Sequence, residues 1–157
     1  MPNWPGSRPR RSSGRGAWLG VDLGEKRVGL AQSDPDGKLA TPLTTLQRNG
    51  QSLKDLAARV AEIATEQGIS RVVVGLPLNM DGTDGVKARE ARHFAEHLEA
   101  LVPEVVLQDE RLSSMLANWQ LRDAGLNTRR GRRVVDEAAA VLILQVVLDL
   151  DGHSDAP

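Results

Sequence analysis

Apolar and polar positions follow two different periods along this chain. Ala17 to Leu23 is mostly apolar and reads as a buried strand. Gly24-Glu25 then turns the chain. Arg27 to Gln32 alternates, with Val28 and Leu30 on one face, which predicts a second strand in a hairpin. Asp36-Gly37 is a turn signal, and Lys38 to Leu46 reads as a third strand. Pro42 offers no N–H, so this strand is expected at a sheet edge.

The period then lengthens. Leu53, Leu56, Ala57, Val60, Ile63 and Ala64 recur at helical spacing, and Gly68 is a stop signal. "RVVVGLP" is a β-branched apolar strand of the kind buried on both faces. Ala91, Phe94, Ala95, Leu98 and Leu101 form the stripe of a second helix, and "EVVLQ" is the next strand. Leu112, Met115, Leu116 and Trp119 predict a third helix ended by Gly125, with Ser113 and Ser114 as caps and Trp119 in the core. A polar, basic loop is expected to lead into a last helix carrying Val135, Ala138, Ala139, Leu142, Ile143, Val146 and Val147. The order β-β-β-α-β-α-β-α-α predicts an α/β fold. Its mixed five-stranded sheet has the order 3-2-1-4-5, helices on both faces and right-handed crossovers between parallel strands.

Composition changes this picture only at the ends. The 157 residues suit one domain. Met1 to Gly16 is rich in Pro, Gly and Ser, carries Arg8, Arg10, Arg11 and Arg15, and reads as a disordered basic tail. Residues 17–150 are the expected domain, and 151–157 a polar tail. No apolar run reaches the ~20 residues of a membrane helix. There is no cysteine, which excludes disulfides and thiolate metal sites and fits the cytoplasm. The formal net charge of −1 does not announce a nucleic-acid partner, so the charges have to be read locally.

Strands one, four and five are expected to run parallel, and ligands bind at the C-terminal edge of such sheets. Asp22 falls near the end of the first strand and Glu110 at the end of the fifth, while the fourth opens into "PLNMDGTDG". Asp136 stands early in the last helix, on the face of Ala139 and Ala140, whereas Glu137 points about 100° away and is expected in solvent. Three converging carboxylates repel one another unless a cation joins them. A hard divalent ion such as Mg²⁺ takes carboxylate oxygens and substrate phosphate together. Two such ions would serve phosphodiester hydrolysis, with Asp22 the candidate to bridge them. Basic residues adjoin every acid: Lys26 and Arg27 after the first, Arg111 after the second, and Arg129, Arg130, Arg132 and Arg133 before the third. They suit phosphate contacts without sequence readout. Asn79 and the loop around it either satisfy a turn or touch substrate.

"GVDLGEKRVGLAQSD", "VVVGLPLNMDGTDG", "LQDERLSS" and "VVDEAAAVLIL" together resemble the YqgF (RuvX) family, over roughly Ala17 to Leu150. Its members are ribonuclease-H-like proteins described as homologues of Holliday-junction resolvases and as nucleases of precursor 16S ribosomal RNA. The resemblance implies a ribonuclease-H-like fold and Mg²⁺- or Mn²⁺-dependent hydrolysis of branched DNA or precursor rRNA. It maps the acidic positions onto Asp22, Glu110 and Asp136. A four-way junction has twofold symmetry and would favour a homodimer; precursor RNA would not.

Other signals point elsewhere. "DLG" also resembles a phosphate loop of actin-like and sugar-kinase ATPases, but those need two related domains. His93 and His97, four residues apart, read better as a solvated helix face than as metal ligands. A non-catalytic nucleic-acid-binding module on the same fold is the rival reading.

Overall fold

The computed structural model describes residues 16–111 and 129–154, the last helix being described by backbone alone at residues 129–135 and 151–154. The elements are β1 (Trp18–Leu23), β2 (Arg27–Ser33), β3 (Ala40–Gln47), α1 (Leu53–Glu66), β4 (Arg71–Leu76), α2 (Val86–Glu99), β5 (Glu104–Asp109) and α3 (Arg129–Ser154). The third helix expected around Leu112 to Trp119, its caps Ser113 and Ser114, and the basic tail up to Arg15 lie outside the described residues.

The sheet runs β3-β2-β1-β4-β5, as expected. β1 pairs antiparallel with β2 and parallel with β4, so it is the central strand. β3 is an edge strand, and Pro42 sits beside a register shift at Leu30/Ala31, where a missing N–H is tolerated. Ser52 caps α1 by accepting a hydrogen bond from the Asp55 backbone N–H at 3.1 Å. Gly68, at φ +72°, ends that helix in the left-handed region.

Alternation along the strands builds two apolar layers. Leu19, Val21, Val28, Leu30, Val72 and Val74 pack with α1 and α2 on one face. Trp18, Ala31, Ala40 and Val73 pack with α3 on the other. Among the described residues no helix is long and apolar enough to cross a membrane.

Three helix readings need correction. α2 ends at Glu99, so Leu101 leaves the stripe and is 50% exposed while Val102 is buried in its stead. Pro103 stands where the helix would have to continue, and its ring bars that. α3 begins at Arg129, so the Arg-rich segment expected as a loop is helical. Arg is a good helix former, and one Gly inside costs only about 1 kcal/mol. The buried stripe of α3 is Ala139, Ala140, Ile143, Leu144, Val147 and Leu148, whereas Ala138, Leu142 and Val146 are only half-buried. A nearly uniform apolar run carries no phase of its own, so packing chose the face.

That packing uses glycine. A Cβ at Gly20 would stand 2.8 Å from the Leu144 Cβ, and one at Gly29 would collide with the Asp136 carbonyl oxygen. The bare backbone at both positions lets α3 lie close over β1, β2 and β3. Gln145 ties α3 to the sheet edge, accepting from the Ala40 N–H and donating to the Lys38 carbonyl, both at 2.9 Å.

Candidate active site

Asp22 faces the α3 side of the sheet, two residues on from Gly20. Across the antiparallel ladder it pairs with Gly29. On the parallel side the register Val21↔Val74 brings Gly75 next to it. Asp22 therefore has a glycine on each flank. The Asp136 backbone lies over Gly29, and the Glu110 carboxylate lies over Gly75, where a Cβ would come within 2.5 Å of its Oε2. A side chain at either glycine would fill the space that one of these acids uses. Three elements, the end of β1, the end of β5 and the second turn of α3, thus deliver one carboxylate each to one edge.

The electrostatics register this crowding. Burial pushes the Asp22 carboxyl up from 3.8 to about 8, and the charges of Glu110 and then Asp136 add to the rise. Lys87, on the first turn of α2, draws it back. Lys87 was not singled out by the sequence, and it is the one α2 cation whose field reaches Asp22. Its signal was faint: an exposed lysine just after a glycine-rich loop. Glu110 is 7% exposed, and its backbone N–H donates to the Leu76 carbonyl at 3.2 Å, which continues the β4–β5 pairing and fixes where the acid stands.

The basic residues have divergent fates. The Arg27 Nε donates to Asp136 Oδ2 at 2.6 Å, so this expected phosphate ligand is bound to one of the acids. Arg111 grips Asp109 through Nε and Nη2 and donates from Nη1 to the Met80 carbonyl at 3.0 Å. Its hydrogen bonds hold the Asp109 carboxyl below the usual range and tie the end of β5 to the β4–α2 loop. Lys26 is exposed at the β1–β2 turn. Arg129, Arg130, Arg132 and Arg133 occupy the first turns of α3, directly before Asp136. The Asn79 Nδ2 donates to Thr83 Oγ1 at 2.9 Å, so its side chain braces its own loop.

Two further residues support the edge. Arg48 donates to the Gly24 carbonyl at 2.7 Å and to Glu90 at 3.0 Å, clamping the turn after Asp22 to α2. Glu137, expected in solvent, accepts from Thr45 Oγ1 at 2.9 Å on the partner strand of Gly29. His93 is exposed and faces Glu96 at 3.6 Å, in keeping with a solvated helix face. Among the described residues no three carboxylate or imidazole groups are gathered tightly enough to cage a metal ion. The acids sense one another's charge without closing on a common point.

Comparison with known proteins agrees with this architecture. The RuvC resolvase structure of Thermus thermophilus superposes with a TM-score of 0.52 at 18% identity, covering 85% of this chain and 96% of that one. At that identity the likeness concerns the fold, which is ribonuclease-H-like. Fold and family together define the class: a nuclease on a ribonuclease-H-like sheet. A family model described as "RuvX: Holliday junction resolvase" matches residues 16–150, and the chain belongs to that family. A relative from Nocardia farcinica, named "Putative pre-16S rRNA nuclease", is 46% identical over 148 residues, covering 90% of this chain and 82% of that protein. One of the same name from Anaeromyxobacter dehalogenans is 53% identical over 133 residues, 83% of this chain and 95% of the other.

Proposed function

We propose that this nuclease is a divalent-metal-dependent endonuclease that cuts the backbone of precursor 16S ribosomal RNA. The observation that carries the reading is the row at one sheet edge, where Glu110 and Asp136 crowd an Asp22 whose carboxyl is pushed up to about 8. Crowded carboxylates of this kind would be relieved by a further cation, and their hard oxygen donors suit Mg²⁺ or Mn²⁺. Asp22, Glu110 and Asp136 would hold two such ions, which when bound would activate the attacking water and offset charge on the leaving oxygen.

The protein's own groups would do the rest. Lys26 and the α3 arginines Arg129, Arg130, Arg132 and Arg133 flank the acids along the chain and would hold backbone phosphates. Arg111, held by Asp109, would present its cation from the rim, and Asn79 would shape the β4–α2 loop against the strand. The RNA substrate is supported by the names of the relatives, several of which are 40–53% identical over most of the chain. The second reading, a four-way DNA junction cut by a homodimer, is supported by the family description. Cytoplasmic residence accompanies either substrate.

The test is side-by-side cleavage of a precursor 16S rRNA fragment and a synthetic four-way junction by wild type and Asp22→Asn, with mass measured across concentration. The expected result is RNA cleavage that requires Mg²⁺ or Mn²⁺ and is lost in a folded Asp22→Asn protein. Cleavage of the junction alone, by a dimer, would replace the substrate. Undiminished cleavage by Asp22→Asn would overturn the site, and cleavage of neither would favour a binding module.

A further inference from the structure

We propose that Arg27 is the resting counter-ion of the acid row, which Asp136 exchanges for a divalent cation when the site loads. The inference rests on the metal-dependent reading above and adds a role for a residue of this chain.

The geometry is that of an occupant rather than a brace. The Arg27 Nε lies 2.6 Å from Asp136 Oδ2, in a pair whose side chains are 26% and 16% exposed. That bond occupies one of the two oxygens that Asp136 could offer a metal. A guanidinium and a doubly charged ion on one carboxylate repel each other in a partly buried site, so loading the ion would weaken the Arg27 bond. A group that orients a ligating carboxylate from behind must donate a hydrogen bond, and a neutral N–H, hydroxyl or water does so without adding positive charge beside the ion.

The exchange is also mechanically available. Arg27 is held to the described residues by this single side-chain hydrogen bond, through Nε, and its two terminal nitrogens bond to none of them. A guanidinium with one anchor among the described residues can swing without breaking a network there. The bond holds the Asp136 carboxylate against the start of β2. Once released, Arg27 stands at the rim with its planar fork free for a phosphate oxygen pair. Cation loading and strand binding would then help one another through this residue.

The experiment is Mn²⁺ binding to the full-length protein, read by the electron paramagnetic resonance of free Mn²⁺, for wild type, Arg27→Gln, Arg27→Lys and Asp22→Asn. Circular dichroism checks that each is folded. The expected result is that Arg27→Gln binds Mn²⁺ about tenfold more tightly, the low end for loss of a charge-assisted bond. Arg27→Lys keeps the charge and should stay near wild type. Tighter binding by both variants would trace the gain to lost shape rather than lost charge and would overturn the exchange. If Arg27 instead braced Asp136, Arg27→Gln would bind about 10–100-fold more weakly. That result, or an unchanged affinity, overturns the proposal. The metal-site reading is judged separately, since it requires wild type to bind Mn²⁺ and Asp22→Asn to lose that binding. No binding by wild type and by Arg27→Gln would sink both.

Discussion

Asp22 is costly as a residue and informative for that reason. It stands at the end of the central strand with a glycine on either side, mostly buried and facing two other acids. In the unfolded chain its carboxyl titrates near 3.9, as in a model peptide. In the folded protein burial and the charges of Glu110 and Asp136 push it up to about 8. Between those values the folded state holds a proton that the unfolded state has released, so stability falls as pH rises from about 4 to about 8. Asp22→Asn removes this penalty. In chelator, denaturant unfolding should find Asp22→Asn more stable than wild type at pH 8.5, by on the order of a few kcal/mol. The gap should close as pH drops toward 4. Equal stability at pH 8.5 would mean that Asp22 is not buried against its neighbours as described.

Among elements, the decisive contact is α3 on the β1–β2 hairpin and β4. Helix and sheet approach this closely because Gly20, Gly29 and Gly75 present no side chain to α3. The consequences of filling two of these positions differ in kind. At Gly29 a methyl meets the Asp136 carbonyl, which is backbone, so the helix itself must shift. At Gly75 it meets the Glu110 carboxylate and the Ile143 Cδ1, which are side-chain ends and can yield in part. Overpacking of this sort costs about 1–3 kcal/mol. Urea unfolding should place Gly29→Ala at or above the top of that range and Gly75→Ala below it. Gly75→Ala should still impair cleavage, because it displaces Glu110. Reversal of the stability order would refute the stated packing of α3.

For the whole molecule, the net charge of −1 conceals an uneven distribution. Acids gather at one sheet edge, and four arginines lead into Asp136 on the first turns of α3. A uniform charge would repel or ignore a polyanion, whereas arginines bound as proposed would pull phosphate toward the acids. Each phosphate contact contributes roughly 0.9 to the slope of log K against log salt on duplex DNA, and roughly 0.7 on single strands. Replacing Arg129, Arg130, Arg132 and Arg133 by Gln should weaken binding across sequences and flatten that slope by about that amount per lost contact. Filter binding over a salt series measures it. An unchanged slope would place the phosphate path elsewhere on the molecule.

Much of the fold was legible because polar punctuation interrupts apolar runs at readable intervals. The strand order, the edge position of Pro42, the central place of β1 and the phase of α1 all follow from periods that a one-dimensional reading can count. The same reading put Asp22 and Glu110 at strand ends, and topology then brought them to one side. What it could not supply was phase where none is written, as in the nearly all-apolar α3, or partners distant in the chain. Arg27 was read as a phosphate ligand because its sequence neighbours suggest one; its bond to Asp136 spans 109 positions and exists only once α3 lies over β2. The glycines that flank Asp22 looked like ordinary strand residues until a helix was seen to press on one and a carboxylate on the other. Local pattern thus determined which elements form and which ends carry charge. Close packing between elements, which depends on side chains absent as much as on those present, decided which charges meet.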